Sequence, residues 1–125
     1  MTSAGRPAIL CLGYDAVLNR TRRLILEQHF DVTVVEALPE AVPLVTERRF
    51  ALVLLCYSLG EDDCRTVVEL VRDVSPETKI LALAEGRERL ELRAQDEVYL
   101  FLGPAELLTK TASMVGVRLE PTKHL

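Results

Sequence analysis

The sequence predicts a single α/β domain on a largely parallel sheet. Two observations carry the prediction. Five short apolar runs, at 8–12, 32–36, 51–56, 80–84 and 98–102, alternate with segments of helical character, which is the order that βαβ units produce. The runs are also almost unbroken in apolar residues, as expected of strands covered on both faces rather than of a sheet with one wet side. A chain of 125 residues suits one domain, burying roughly two thirds of the surface its unfolded form exposes. The core is expected over residues 8–115, with a polar tail at 116–125.

Each element has its own local reason. Ala8-Ile9-Leu10-Cys11-Leu12 is an apolar run of strand length, closed by Gly13. Asp15 is placed to cap a helix running to about His29, with Val17, Thr21, Leu24 and Gln28 on one face and Leu18 and Ile25 beside it. Val32 to Glu36 is brief and β-branched, so it reads as a strand. Residues 38–49 have helical composition, but Pro43 cannot donate a backbone bond inside a helix. That helix is expected to start near Ala41 with Pro43 in its first turn, or to kink there. Ala51 to Cys56 is the third strand. Asp62 or Asp63 can cap the next helix, in which Val67, Val68, Leu70 and Val71 form a stripe up to Val74 before Ser75-Pro76 ends it. Ile80 to Ala84 is the fourth strand and Arg87 to Gln95 a short, charged helix. Val98 to Leu102 is the fifth strand, Gly103-Pro104 a break, and Ala105 to Val115 the last helix.

Composition narrows the function classes. Apolar residues make up 49% and charged residues 27% of the chain, an ordinary balance for a soluble globular protein. Net charge is -4, and Arg20, Arg22, Arg23, Arg48 and Arg49 have acids nearby, so no footprint for nucleic acid or an anionic membrane emerges. The run Ala8 to Leu12 is too short for a signal peptide or a spanning helix. Cys11, Cys56 and Cys64 are odd in number, lack a CxxC spacing, and lie far in sequence from His29 and His124. Neither a metal site nor a disulfide framework is expected, and a reducing cytoplasm is the default location.

In open parallel sheets the working site lies beyond the carboxyl ends of the strands. The positions of interest are therefore Gly13-Tyr14-Asp15, Cys56-Tyr57, Ala84-Glu85 and Gly103-Pro104. The stretch "ALVLLCYSLGEDD" (51–63) is the most pointed of these, because a buried strand there ends on a thiol. No Gly-rich phosphate loop, Ser/His/Asp or Cys/His constellation, or paired carboxylate stands at the strand ends, so an enzyme of flavodoxin-like architecture is the weakest reading.

With these stretches in view, the chain resembles a response-regulator receiver (CheY-like) domain from Ile9 to about Val115. The resemblance implies a doubly wound five-stranded sheet of order 2-1-3-4-5, with helices on both faces. Its pattern has two acids after strand one, a phosphoacceptor Asp ending strand three, Thr or Ser ending strand four, and Lys-Pro after strand five. Here "ILCLGYDAVL" puts Gly13 and Tyr14 at the acid positions, with Asp15 following, and "FALVLLCYSLGEDD" puts Cys56 at the phosphoacceptor. "KILALAEG" puts Ala84 at the hydroxyl position, and "LFLGP" puts Gly103 at the lysine, keeping only Pro104. The framework matches and the chemistry does not. Aspartyl phosphate formation needs a carboxylate nucleophile and a divalent cation, and Mg²⁺ prefers oxygen ligands that a thiol and a glycine cannot supply. No phosphoryl transfer and no Mg²⁺ or other cofactor are expected.

The remaining residues each admit two readings. Cys56 is either a redox or alkylation sensor or a small neutral residue packed into an apolar pocket; the sequence places nothing basic to lower its pKa, and Asp15 would raise it. Cys64 falls in the first turn of a helix, where the dipole favours thiolate, yet an inert buried cysteine is the commoner outcome. Tyr14 fills a vacated metal pocket or lies exposed on its rim. Glu61, Asp62 and Asp63 form a substitute metal cluster or, more simply, a solvated loop and a cap. "GRERLELRAQDE" is a docking face or only a solvated one. The resemblance implies that the last two helices and the last strand form the usual dimer or output face, which here holds Arg87, Arg89, Tyr99 and Phe101. The functional expectation is an interaction module that binds a protein partner or itself without phosphorylation. The alternative is a regulator controlled at the strand-end pocket by a small molecule or by thiol oxidation.

Overall fold

A computed structural model describes residues 6–56, 61–83, 97–99 and 104–119. Strands β1 (Ala8–Leu12), β2 (Asp31–Val35), β3 (Leu52–Leu55), β4 (Lys79–Leu83) and β5 (Glu97–Tyr99) form one sheet of order β2-β1-β3-β4-β5. All four adjacent pairs are parallel, and Cys11 lies opposite Val34 on one side and Leu54 on the other. The helices are α1 (Ala16–Leu26), α2 (Leu38–Glu47), α3 (Glu61–Val74) and α4 (Pro104–Val115). The charged segment 87–95 expected to be helical, and residues 100–102 of the expected fifth strand, lie outside the described residues.

Alternation along each strand splits the core in two. Leu10, Leu12, Val53, Leu55, Ile80 and Ala82 face α2 and α3, meeting Ala41, Val45, Val67, Val68 and Val71. Ile9, Cys11, Leu52, Leu54, Cys56, Leu81 and Leu83 face the opposite way, with Leu26 of α1 and Leu107, Ala112 and Met114 of α4. Both faces of the inner strands are therefore dry, which explains why the strands read as continuous apolar runs. The ends of α3 and α4 are tied to the sheet by polar contacts. Thr78 Oγ1 donates to the Phe50 carbonyl at 2.7 Å while meeting Ser75 Oγ, and Lys79 Nζ donates to the Met114 carbonyl. Gly116, at φ 76°, closes α4 in the left-handed conformation, and Val117 N–H bonds back to Ala112 O.

Three local expectations need correction. The face of α1 carrying Val17, Thr21, Leu24 and Gln28 looks outward, with Val17 72% and Leu24 57% exposed. Helix α1 instead turns Asn19 and Leu26 fully inward, flanked by the partly buried Leu18, Arg22 and Ile25, and it ends at Leu26 rather than near His29. Helix α2 starts at Leu38, so Pro43 stands inside it. Loss of one backbone donor there is tolerated because Ala41 and Val45 are buried against α3 and the sheet. Finally, Asp62 and Asp63 lie within the first turn of α3, which begins at Glu61, and do not precede it as caps.

Candidate functional site

The site is built where β1 and β3 end side by side. Beyond the last paired residues, Leu12 and Leu55, the chains continue in register: Cys56 N–H bonds the Leu12 carbonyl at 2.9 Å, and Gly13 N–H bonds Val35 O at 3.3 Å. Gly13 and Cys56 are thereby pressed together. A Cβ on residue 13 would fall 2.7 Å from Cys56 Cβ, 3.0 Å from its Sγ and 2.9 Å from Asn19 Oδ1. Gly13 is thus required by close approach, not by an unusual backbone angle.

Helix α1 closes the site from above. Asp15 Oδ1 accepts the amides of Val17 and Leu18 at 3.0 and 3.1 Å, which sets the phase of the helix. That phase sends Asn19 inward, where Nδ2 donates to the Gly13 carbonyl at 2.7 Å and Oδ1 stands 3.8 Å from Cys56 Sγ. One turn further, Arg22 brings its guanidinium beside Cys56. Below the site, Cys11 Sγ lies 3.8 Å from Cys56 Sγ, with both residues buried.

The two thiols are not equivalent. Cys56 is pulled below the usual thiol range, first by the hydrogen bond from Cys11 and also by Arg22, against the opposing effects of burial and the Asp15 charge. Cys11 is pushed well up, because its proton is held by the Cys56 sulfur and because it is buried. The more acidic sulfur is therefore Cys56, with Cys11 as its proton donor. The expectation that nothing basic stands near Cys56 is overturned by Arg22, which the sequence conceals 34 positions away on another element.

Other expected site residues separate from this cluster. Tyr14 is 43% exposed and donates its phenol to Asp63 Oδ2 at 2.5 Å, so it lies on the rim. The carboxylate raises its pKa to about 12. Asp62 Oδ1 meets Arg65 at 3.5 Å, and Cys64 packs in the α2/α3 core, on the opposite face of the sheet from Cys56. Ala84 and Gly103 lie outside the described residues, as do Arg87, Arg89 and Phe101, while Pro104 opens α4 and Tyr99 ends β5. Cys11, Asn19 and Arg22 were not among the expected site residues. Their signal was strand parity for Cys11 and, for the other two, the inward stripe Leu18, Asn19, Arg22, Ile25, Leu26 that the Asp15 cap imposes.

The divalent cation implied by the receiver resemblance does not fit these residues. Gly13 offers no ligand, the Tyr14 phenol is engaged by Asp63, and Asp15 Oδ1 holds two amides. Cys56 offers sulfur, which Mg²⁺ disfavours. Among the described residues no three His, Cys, Asp or Glu side chains gather as a metal site. No helix among them is long and apolar enough to cross a membrane.

No protein-family model matches the chain, and no curated protein does. Solved structures do. A CheY-like response regulator receiver domain protein from Methanospirillum hungatei superposes with a TM-score of 0.77 at 19% identity, covering 90% of this chain and 95% of that one. A Francisella response regulator receiver domain gives 0.75 at 15% identity, over 89% and 98%. A response regulator from Thermotoga maritima gives 0.71 at 16% identity, again over 89% and 98%. Strand order, parallel pairing and these superpositions agree: the chain has the CheY-like receiver fold of response regulators.

Proposed function

We propose that this chain is a receiver-type signalling module that acts without phosphoryl transfer, by binding a protein partner or a second copy of itself in the cytoplasm. The observation that carries the reading is the Gly13–Cys56 contact. A side chain at Gly13 would run into Cys56, so the position where a metal-binding acid is expected cannot carry one on this backbone. Together with the thiol at Cys56 and the engaged Asp15, this removes the nucleophile and the cation site at once. Solved structures of like fold include receiver domains, which supports a role in signalling.

The test is a melting measurement with Mg²⁺ and beryllofluoride, a phosphoryl mimic. A ligand binding only the folded state at about 100 times its Kd would stabilise by about 2.7 kcal/mol. Unfolding entropy of about 2.1 cal/mol/K per residue converts this to a rise of about 10 °C for 125 residues. No rise is expected; a clear Mg²⁺-dependent rise overturns the proposal. The partner surface is assigned to the β5 edge of the sheet, where Tyr99 ends the strand and Phe101, Arg87 and Arg89 follow or precede it in sequence. Aromatic residues close in sequence to a segment of mixed charge suit a two-fold self-contact. Sedimentation should therefore show a concentration-dependent, salt-sensitive dimer, and a strict monomer at high concentration in low salt counts against that surface.

A further inference from the structure

We propose that Cys56 and Cys11 form a peroxide-responsive thiol couple, in which Cys56 is the attacking sulfur, Cys11 the resolving one, and closure of the bond between them draws in the end of β3. The inference rests on the reading that this strand end handles no phosphoryl group, and it assigns the same site a different input.

Geometry carries it. The two sulfurs are 3.8 Å apart although the residues are 45 positions apart in sequence, because the strand order sets β1 beside β3 and parity sends both side chains to the α1/α4 face. The third cysteine, Cys64, is in the other half of the core and cannot compete for either sulfur. Arg22 stands over the Cys56 sulfur and favours its anionic form, and Cys11 supplies a hydrogen bond to it. Asn19 Oδ1 and Asp15 oppose the anion, so the attacking thiolate forms against resistance at rest. Burial also limits the oxidant: Cys56 is 1% exposed, with Gly13 and Asn19 against it, which disfavours a bulky disulfide and leaves a small oxidant such as hydrogen peroxide as the co-reactant of the proposal.

The chemistry balances with peroxide as the only co-reactant. The Cys56 thiolate attacks one peroxide oxygen, forming an S–O bond as the O–O bond breaks and hydroxide leaves. Its sulfur, oxidised by two electrons, is then a sulfenic acid. Cys11 sulfur attacks that sulfur, the S–S bond forms, the S–O bond breaks, and water departs with the Cys11 proton. Two thiols and one hydrogen peroxide give one disulfide and two waters.

The second step has a structural consequence. Cys11 pairs directly with Leu54, so Cys56 is its diagonal neighbour, two residues further along the adjoining strand. Strand spacing and rise place their α-carbons about 8 Å apart, beyond the roughly 7 Å that a disulfide spans without backbone movement. Cys56 stands just past the last paired residue of β3, so the displacement falls where the chain leaves the sheet. Oxidation at this point changes the strand end in the place where receiver-type folds carry their working loops.

The experiment treats reduced, folded protein with hydrogen peroxide, blocks remaining thiols after denaturation, and maps the peptides. The expected result is loss of two of the three thiols, a mass lower by two hydrogens, a linked Cys11–Cys56 peptide, and reversal by dithiothreitol. Cys11→Ala should instead leave a sulfenic acid on Cys56 that dimedone traps when the oxidised protein is unfolded in its presence, and Cys64→Ser should leave the wild-type outcome unchanged. Three intact thiols under peroxide that fully oxidises the unfolded chain would overturn the couple, as would a bond to Cys64 or a wild-type sulfenic acid that never resolves. Because the assay contains neither Mg²⁺ nor a phosphoryl donor, its failure is distinct from the beryllofluoride result, which judges the reading beneath it.

Discussion

Replacing Cys56 by Asp would place a carboxylate at the end of β3, where the surrounding residues give it little support. The position is 1% exposed and packed against Cys11, Gly13 and Asn19, whose nearest polar atom is the carbonyl oxygen Oδ1. Burial raises a carboxyl pKa above its usual value of about 3.9, and the Arg22 guanidinium partly offsets the rise. A net rise of about one to two units destabilises the fold at neutral pH by about 1.4–2.7 kcal/mol. For 125 residues this lowers Tm by about 5–10 °C. The pH dependence identifies the cause. Well below the unfolded pKa of about 3.9 the carboxyl is protonated in both states and contributes no penalty. Above that, the unfolded chain has lost the proton that the folded one keeps, so the deficit against wild type grows up to the folded pKa and is level beyond about pH 6. Thermal melts of both proteins from acid to neutral pH measure this difference. A deficit that does not vary with pH, or none at all, would refute a buried, poorly compensated carboxylate. The same variant incubated with acetyl phosphate and Mg²⁺ should gain no phosphoryl mass; an adduct that hydroxylamine removes would show a competent site.

The Gly13–Cys56 contact predicts that Gly13→Ala destabilises by about 1–3 kcal/mol through overpacking. In a double-mutant cycle of chemical denaturation, Cys56→Gly should relieve a substantial part of that loss, and strict additivity would place the strain elsewhere. Tyr14 should titrate near pH 12 by phenolate absorbance, and Asp63→Asn should bring the transition down toward the ordinary value of about 10. Because the raised pKa means that the folded state holds this proton more tightly, the Tyr14–Asp63 contact stabilises below about pH 10 and its contribution is lost as pH rises through the folded value. An unchanged titration in Asp63→Asn would show that the hydrogen bond is not its cause.

The sheet was legible because its signal is local. The inner strands β1, β3 and β4 bury both faces, so each announces itself without reference to its neighbours. The short β-branched run of β2 is legible although it is only half-buried. The phase of α1 was not legible from hydrophobicity. Val17 and Leu24 are exposed, while Asn19 and Arg22 occupy the inward positions that apolar periodicity would reserve for aliphatic residues. The better guide was the Asp15 cap, which fixes where the helix begins and hence which side chains reach the end of the sheet. Pro43 misled for a related reason, since a local backbone rule yielded to the packing of α2 against α3 and the sheet.

What the sequence left least visible is the part that gives the site its character. Each departure from the receiver pattern, read singly, is a deletion: no acid at Gly13, no carboxylate at Cys56. In the structure the two substitutions fit one another. The Cys56 side chain, its Cβ first and its sulfur next, occupies space that a side chain at Gly13 would need, and the glycine leaves room for Asn19 to bond the Gly13 carbonyl while facing the sulfur. Arg22 and Cys11 then bear on that sulfur from above and below. Restoring a metal-binding acid at position 13 would break the packing that Cys56 completes, and restoring Asp at 56 would put a carboxylate against Asn19 Oδ1. On the proposed reading, phosphoryl chemistry at this strand end requires coordinated change across β1, β3 and α1. Single substitutions along that route are expected to lower stability before they confer any activity, which is why the pH-dependent deficit of Cys56→Asp, rather than its lack of phosphorylation alone, tests the proposed reading.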